Sequence, residues 1–352
     1  MKVLIIQQKM IGDVLTSSIL LEAIRTRYPK SELHYLINSH THPVIQNNPH
    51  PNKILLFEAK HKQLKHLISL GKALKREKYD VVIDVYAKLS SLILTRISKS
   101  KLRIGYRKYY TALFYNQPIT REKTPNHNTS LAIENRMKLL EPLDIEFYPA
   151  NPQIYLTEDE KQNAQFFLKK NGINLKKPTY MISVLGSGPQ KTYPAKYMAE
   201  CLDVISEASS SAQILFNYIP NQKKEAYNIY QLCNKQTQQK IYFDVYGKSL
   251  REFLAITHNC NALIGNEGGA VNMAKAMNIP TFTIFNPLLT KKSWFGKSET
   301  KRHVAVHLGD FYDLTNEKNL SKPEDTKRLY LKLKPKYFKD DLLKFLKNIG
   351  QD

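Results

Sequence analysis

Residues 261–286, NALIGNEGGAVNMAKAMNIPTFTIFN, decide the fold class, because they carry a strand, a glycine turn, a helix and a second strand in succession. An apolar run at 262–264 leads into the turn NEGG, and a β-branched and aromatic run at 281–285 follows a short helical segment. That order predicts one parallel βαβ unit. Its glycines then lie where a helix N-terminus presents free backbone N–H groups, the usual place for a phosphorylated ligand. The alternative is that the glycines only permit a tight turn.

The same alternation of strands and helices extends along most of the chain. In the first half, strands are predicted at 3–6, 33–37, 54–57, 80–85 and 102–105, and a single helix is predicted over 13–27. In the second half, strands are predicted at 180–185, 213–218, 240–243, 262–264 and 281–285. Two such cycles predict an α/β chain with two doubly wound parallel sheets. Ligands are then expected at the carboxyl ends of the strands, in a cleft between two domains.

The length of 352 residues agrees with two domains. The predicted domains are 1–170 and 171–334, followed by a C-terminal helix within 335–352 that packs on the body. No run approaches the roughly 18–20 apolar residues of a membrane span. The first eight residues are too short and polar for a secretory signal and are interpreted as a strand. Three cysteines without CxxC spacing predict neither disulfides nor a zinc site, which suits a cytoplasmic protein.

The net charge of +22 is concentrated in two segments. Residues 60–78 carry many lysines and one glutamate, a pattern that fits a solvated face as well as a binding surface. Residues 96–115 carry arginines and lysines interleaved with tyrosines and a phenylalanine, with no acidic residue. Basic clusters with aromatic residues attract polyanions such as nucleic acid, an anionic bilayer or a phosphorylated lipid.

Two further strand ends carry residues suited to chemistry. Asp13 follows Gly12 after the first strand, where it is either a base facing the cleft or only a helix N-cap. The loop Gly-Ser-Gly-Pro-Gln-Lys at 186–191 follows another strand and has small residues for close approach to phosphate and a lysine for a diphosphate. Its alternative is an ordinary loop with a surface lysine. The absence of GxGxxG and GxxxxGK[ST] argues against a dinucleotide oxidoreductase or a P-loop NTPase.

Taken together, these motifs resemble glycosyltransferase family 9, the heptosyltransferases of the lipopolysaccharide inner core. The stretches that carry the resemblance are KVLII at 2–6 with GDVL at 12–15, KTYP at 191–194, and EGGAVNMA at 267–274 with IPT at 279–281. The resemblance implies a GT-B fold, in which two Rossmann-like domains flank a cleft. It also implies an inverting transferase that uses no metal or other cofactor and takes a sugar from a nucleotide sugar, typically ADP-heptose.

By the same resemblance, Asp13 is expected to be the general base that takes a proton from the acceptor hydroxyl. Lys191 is expected to neutralise the leaving diphosphate, with Ser187 and Gly188 lining it. The helix that starts near Gly269 is expected to offer N–H groups to the phosphates. This division fits the physics of sugar transfer, which needs a base on one side and charge stabilisation on the other.

The second-domain motif departs from the family pattern of Asp, Thr or Ser, Gly, two variable residues and His. Here the positions read Glu267, Gly268, Gly269 and then Asn272. Glu267 is expected to accept hydrogen bonds from sugar hydroxyls or from the helix N–H groups, since a carboxylate repels a diphosphate. Asn272 donates to a phosphate oxygen without carrying charge. For the ribose, two candidates remain open, and they are Gln222 and Glu225.

The acceptor implied by the resemblance is an anionic glycolipid at the inner membrane face. We expect Gly12 and the cations Arg103, Arg107 and Lys108 to bind it, because all four lie in the acceptor-side domain. Peripheral contact with the inner membrane surface is expected, and a nucleic-acid partner is not. Two alternatives remain: a nucleotide-sugar 2-epimerase on the same fold, which needs no acceptor, and a non-catalytic polyanion-binding relative.

Overall fold

The computed structural model describes residues 1–296, 302–315, 317 and 323–350. The chain divides into two compact units, Met1–Tyr155 and Leu156–Asp352. Prediction set the division after residue 170, whereas the helix Glu158–Lys170 belongs to the second unit. That helix packs on the helix Leu250–His258, where Arg251 Nε donates to Glu160 Oε1 at 2.6 Å.

The first unit is built on one parallel sheet. Its strands are β1 (Lys2–Ile6), β2 (Glu32–Asn38), β3 (Lys53–Phe57), β4 (Val81–Asp84), β5 (Leu102–Tyr106) and β6 (Gln117–Ile119). They lie in the order β3-β2-β1-β4-β5-β6, with every pair parallel. Residues 3–6 of β1 are wholly buried, as expected for a central parallel strand covered on both faces.

Helices cover this sheet. They are α1 (Ile11–Ser17), α2 (Ile19–Arg27), α3 (Leu64–Arg76), α4 (Leu89–Ser98) and α5 (Leu131–Lys138). The predicted single helix over 13–27 is divided at Ser18 into α1 and α2. Ser18 Oγ donates to the Leu15 carbonyl at 2.7 Å, and Thr16 and Ser17 donate to carbonyls four residues back. Hydroxyls that bond to preceding carbonyls in this way favour bends in helices.

The second unit repeats this architecture. Its described strands are β7 (Thr179–Ser183), β8 (Gln213–Phe216), β9 (Ala262–Asn266), β10 (Thr281–Ile284) and β11 (His303–Val306). The order is β11-β10-β9-β7-β8, again with parallel pairs. The strand predicted at 240–243 is wrong, since only Ile241 forms an isolated bridge to Ile214.

The helices described in the second unit surround that sheet. They are α6 (Glu158–Lys170), α7 (Ala195–Ala208), α8 (Lys223–Leu232), α9 (Lys235–Gln238), α10 (Leu250–His258), α11 (Gly269–Ala276), α12 (Pro323–Lys332) and α13 (Lys339–Ile349). The terminal helix α13 buries Leu342, Phe345 and Leu346 in the core, with the Phe345 and Phe282 rings 5.7 Å apart. Among the described residues, no helix combines the length and apolarity needed to traverse a bilayer.

Each sheet has one point at which the strand order reverses. In the first unit it lies between β1 and β4, and in the second between β7 and β9. The crossover connections leave the strands in opposite directions there, which opens a crevice at the carboxyl ends of the two strands. The candidate sites of both units are therefore expected at these two places.

Candidate active site

Asp13 lies at the reversal point of the first sheet. The chain leaves β1 through a short loop and enters α1 at Ile11, so Asp13 is the third residue of that helix. Its Oδ2 accepts a long hydrogen bond from the Met10 N–H at 3.4 Å. The carboxylate remains 35% exposed, so a capping contact and access to a ligand coexist.

Arg136 holds the other oxygen of the Asp13 carboxylate. Its Nη2 lies 2.8 Å from Asp13 Oδ1, and its side chain is only 8% exposed. The guanidinium is fixed in turn, because Nε donates to Ser17 Oγ and Nη1 to the Ala132 carbonyl, each at 2.8 Å. A buried and immobilised cation of this kind fixes the orientation of the carboxylate. Sequence reasoning missed Arg136.

A second carboxylate, Asp84, is buried at the end of β4 and level with Ile6 of β1. It accepts hydrogen bonds from the Ala87 N–H at 2.9 Å and from Tyr115 Oη at 2.8 Å. Burial raises the pKa of Asp84 to about 6, against the opposing effect of these hydrogen bonds. Ala87 has a left-handed backbone with φ of 48°, so Asp84 holds a strained turn beside Asp13.

The predicted acceptor residues divide between different places. Arg103 donates to the carbonyls of Phe114 and Ser100, so its guanidinium braces the β5–β6 connection. It lies two residues before Gly105, the residue of β5 that is level with Asp84. Lys108 is the exception, because its Nζ donates to the Ala87 carbonyl at 2.9 Å, beside the Asp84 turn.

The two other acceptor candidates make few side-chain contacts with the site. Arg107 is exposed and reaches only the Pro118 carbonyl, at 3.4 Å. Gly12 is the second residue of α1, with its carbonyl accepting from Thr16 Oγ1 at 2.8 Å. Gly12 is therefore helical, and the turn that prediction gave it is made by the preceding residues.

In the second unit, Asn266 fixes the reversal point between β7 and β9. It is wholly buried at the end of β9, where its Oδ1 accepts from the Tyr193 N–H at 2.7 Å and its Nδ2 donates to the Ser183 carbonyl at 2.9 Å. The chain then turns through Gly268, whose φ of 150° is open to glycine and strained for other residues, and α11 begins at Gly269. The first N–H groups of α11 are thereby presented at the end of the sheet.

The loop that carries Lys191 is built against the same reversal point. A Cβ on Gly186 would lie 2.1 Å from the Lys191 carbonyl oxygen, so only glycine fits there. Thr192 Oγ1 accepts from the Gly186 N–H and donates to the Gly188 carbonyl, which closes the loop. The Lys191 side chain is exposed, and so is Ser187, while Gly188 has extended backbone and open space around it.

Glu267 lies at the junction of β9 and α11. Its Oε1 is buried and has no hydrogen-bond partner among the described residues. Burial raises the pKa of Glu267, and the charge of Lys191 opposes that rise. A buried carboxylate oxygen without a donor is costly unless a ligand supplies one, so this atom marks a ligand-facing position. Asn272 is half-buried one turn into α11.

Of the two ribose candidates, Gln222 belongs to the Lys191 loop. Its Nε2 donates to the Gly186 carbonyl at 3.1 Å. Glu225 is exposed in the first turn of α8. Across the described residues, no three His, Cys, Asp or Glu side chains are grouped closely enough to hold a metal ion. The three cysteines are buried free thiols.

Comparison with known proteins identifies one family. The model of glycosyltransferase family 9 (heptosyltransferase) matches residues 67–322. Lipopolysaccharide heptosyltransferase 1 of Campylobacter coli is 23% identical over 333 residues, which cover 92% of this chain and 94% of that protein.

Two solved structures share the fold. A family 9 glycosyl transferase from Veillonella parvula superposes with a TM-score of 0.77, at 16% identity and 97% coverage of both chains. The heptosyltransferase WaaC of E. coli with ADP-2-deoxy-2-fluoro heptose gives a TM-score of 0.65, at 18% identity, covering 87% of this chain and 93% of that one. These likenesses confirm the predicted class of two Rossmann-like, parallel-sheet units of the GT-B type.

Proposed function

The chain belongs to glycosyltransferase family 9, and on that premise we propose that it transfers a heptose from ADP-heptose to the core of a lipopolysaccharide acceptor, inverting the anomeric carbon without a metal ion. That it is a glycosyltransferase follows from the family and sets aside the epimerase and the non-catalytic relative. The heptose, the ADP and the lipopolysaccharide are taken from what the named relatives are described as acting on or binding.

The observation that carries the mechanism is the Arg136–Asp13 pair, with one carboxylate oxygen held at 2.8 Å by a buried guanidinium. In the proposed reaction, the carboxylate of Asp13 takes the proton of the acceptor hydroxyl as that oxygen attacks the anomeric carbon. The bond from the anomeric carbon to the diphosphate oxygen breaks, and its electron pair leaves with the nucleoside diphosphate. Orientation by Arg136 keeps the base in the geometry that this attack needs.

The second unit is proposed to hold the donor. The leaving diphosphate gains negative charge as its bond to the sugar breaks, so Lys191 and the first N–H groups of α11 stabilise it more in the transition state than in the ground state. Ser187 and Gly188 line the diphosphate from the same loop. Because the charge of Lys191 and the dipole of α11 serve in place of a metal ion, the proposal requires no metal.

Three further side chains are proposed to contact the donor. The buried Oε1 of Glu267 accepts a hydrogen bond from a sugar hydroxyl, which gives a donor to an atom that has none within the described part of the chain. Asn272 donates to a phosphate oxygen. Gln222 is proposed for the ribose ahead of Glu225, because its hydrogen bond to Gly186 ties it to the diphosphate loop.

For the acceptor, Lys108 is proposed to hold an anionic group, and Arg107 is proposed to assist from the next residue. Lys108 is anchored beside the Asp84 turn through the Ala87 carbonyl. Arg103 is proposed to support these two residues, because its Nε and Nη1 donate to backbone carbonyls and brace the segment that carries them.

The test combines a thermal-shift panel of nucleotides and nucleotide sugars with a transfer assay. ADP-heptose at 100 times its dissociation constant should stabilise the protein by about 2.7 kcal/mol. Asp13→Asn should lower kcat/KM by a factor of about 10² to 10⁴ while keeping that stabilisation. Asp144→Asn, at an exposed turn, is the matched control with wild-type turnover. Full activity of the Asp13 variant would refute Asp13 as the general base. Stabilisation by UDP or GDP sugars alone would refute ADP-heptose as the donor.

A further inference from the structure

Asn286 follows β10 by two residues and is buried, with 5% of its surface exposed. Its Nδ2 donates to the Gln190 carbonyl at 3.2 Å, and its Oδ1 accepts from the Leu288 N–H at 2.9 Å. A carbonyl on one side and an N–H on the other fix which way the amide faces. Because β9 lies between β10 and β7 in the sheet, this side chain joins the end of β10 to the loop of a strand that is not its neighbour.

The peptide unit between Gln190 and Lys191 is held at both of its polar ends. Asn286 bonds to its carbonyl, and its N–H donates to the Gly188 carbonyl at 2.9 Å. On the other side of Lys191, a Cβ on Gly186 would approach the Lys191 carbonyl oxygen to 2.1 Å, so the chain is closely packed there. The backbone is therefore held on both sides of Lys191.

A second buried asparagine holds the same loop further along the chain. Asn266, at the end of β9, accepts the Tyr193 N–H at 2.7 Å and donates to the Ser183 carbonyl of β7 at 2.9 Å. Lys191 therefore lies between two points that side chains from β9 and from the end of β10 hold in place. Since a lysine side chain is a flexible four-carbon stem, the direction of its Cα–Cβ bond decides which region the ammonium can reach.

We propose that Asn286 is a positioning residue, which holds Lys191 where it meets the leaving diphosphate. The inference rests on the proposed function in assigning that diphosphate to Lys191. A cation that is already in place stabilises the charge developing on a leaving group without reorganisation during the reaction. A residue that only capped the turn after β10 would need its oxygen for Leu288 and no donor toward Gln190.

Hydrogen exchange tests the positioning without any ligand. In Asn286→Ala, the amides of residues 186–193 should exchange at least about fivefold faster, because a hydrogen bond that holds the loop is lost. Asn286→Asp keeps an oxygen for the Leu288 N–H and loses the donor to Gln190. It should give the same increase, and it serves as the test if the alanine variant does not fold.

The matched control is Gln213→Ala, at the amino end of β8 in the same sheet. Gln213 is 4% exposed, and its amide accepts the Asn174 N–H at 2.8 Å and donates to the Asn174 carbonyl at 2.9 Å. The control therefore also removes a buried amide that holds a loop, but at the opposite edge of the sheet. It should leave the exchange of residues 186–193 and the turnover as in the wild type.

Calorimetry with ADP tests whether the effect passes through Lys191. Asn286→Ala should weaken ADP binding and lower kcat by about tenfold each, because the ammonium no longer meets the diphosphate in one place. Adenosine, which has no diphosphate, should bind as it does to the wild type. In a Lys191→Ala protein, adding Asn286→Ala should change ADP binding by less than about twofold, since no ammonium remains to be positioned.

Three results would each overturn the positioning role. They are equal weakening of ADP binding with and without Lys191, wild-type exchange of residues 186–193 in both Asn286 variants, and the same losses in Gln213→Ala. Wild-type protein that binds no ADP, together with faster exchange in the Asn286 variants, would instead refute the proposed donor site. The role of Asn286 in holding the loop of Lys191 would then stand.

Discussion

Replacing Arg136 with methionine tests whether the carboxylate of Asp13 needs to be positioned. The change removes a guanidinium that donates to Asp13 Oδ1, Ser17 Oγ and the Ala132 carbonyl. Because Asp13 is 35% exposed, water can solvate it after the loss, and we expect the free energy of unfolding to fall by only about 1–3 kcal/mol. A domain with about 5–15 kcal/mol of stability stays folded, so activity can be compared at 25 °C.

The expected kinetic effect is larger than the structural one. With Asp13 free to change rotamer, kcat should fall by about 10², while the KM for the nucleotide sugar stays unchanged because the residues proposed to bind the donor belong to the second unit. Arg136→Lys should recover part of kcat, since an ammonium can reach one of the three partners.

The matched control for Arg136 is Arg25→Met. Arg25 also donates several hydrogen bonds, to the carbonyls of Pro29, Ser31 and His50 and to Asn52, but it lies away from Asp13. The Arg25→Met protein should lose stability and keep the wild-type kcat. Steady-state kinetics with urea unfolding decide the matter: wild-type kcat in a folded Arg136→Met protein, or an equal kcat loss in the control, would refute positioning.

Three further substitutions address other parts of the candidate site. Burial raises the pKa of Asp84 from 3.8 to about 6, so the folded protein binds more protons than the unfolded chain between these values and loses stability as pH rises. Between pH 4 and 7 the loss in the free energy of unfolding should be about 3 kcal/mol, measured by urea unfolding, and Asp84→Asn should abolish it. The same dependence of unfolding free energy on pH in both proteins would contradict this prediction. Gly186→Ala should weaken ADP binding at least about tenfold by displacing Lys191, whereas Gly350→Ala, whose added Cβ makes only ordinary van der Waals contact at the end of α13, should not; calorimetry distinguishes the two. Glu267→Gln should raise the KM for the nucleotide sugar. It should also tighten ADP binding, because a carboxylate beside the diphosphate is removed. Weaker binding of both ligands would contradict this prediction.

The sequence predicted the central strands and two of the four described edge strands, β3 and β8. β1, β7 and β9 are apolar runs buried on both faces, which is a strong local signal. The edge strands β6 and β11 were missed, because Pro118 disfavours a strand and residues 303–306 form only a short run. The segment 240–243 has strand composition but pairs through a single residue, and pairing is a tertiary property that composition does not carry.

The candidate site was predictable where a motif marked it. Asp13 and Lys191 follow strands in recognisable stretches, whereas Arg136 comes from a helix far along the chain with no motif around it. A signal was present, because Arg136 shares the helical face of Ile133, Met137 and Leu140. An arginine within an apolar stripe requires a buried partner, although the stripe does not identify that partner as Asp13.

Arg103 illustrates what a cluster of cations in sequence leaves open. A cluster of cations in the sequence predicted an anion site. A guanidinium, however, can bind a ligand, be solvated by water or donate to a backbone carbonyl. The folded connection between β5 and β6 brings the carbonyl of Phe114 within reach, and the carbonyl of Ser100 lies three residues before Arg103. Composition therefore predicts that a surface is basic, and contacts decide which of its cations remain available.

The two units share a device that no repeat in the sequence reveals. Asp84 and Asn266 are each the last residue of the strand that borders the first strand at the reversal point, and both are buried. Each accepts a backbone N–H, from Ala87 in one unit and from Tyr193 in the other, and so fixes the turn beside the candidate ligand. An amide does this without a charge to desolvate, while a carboxylate does it with a raised pKa. The geometry of the second unit should therefore be insensitive to pH between about 4 and 7 at this position, and that of the first should not.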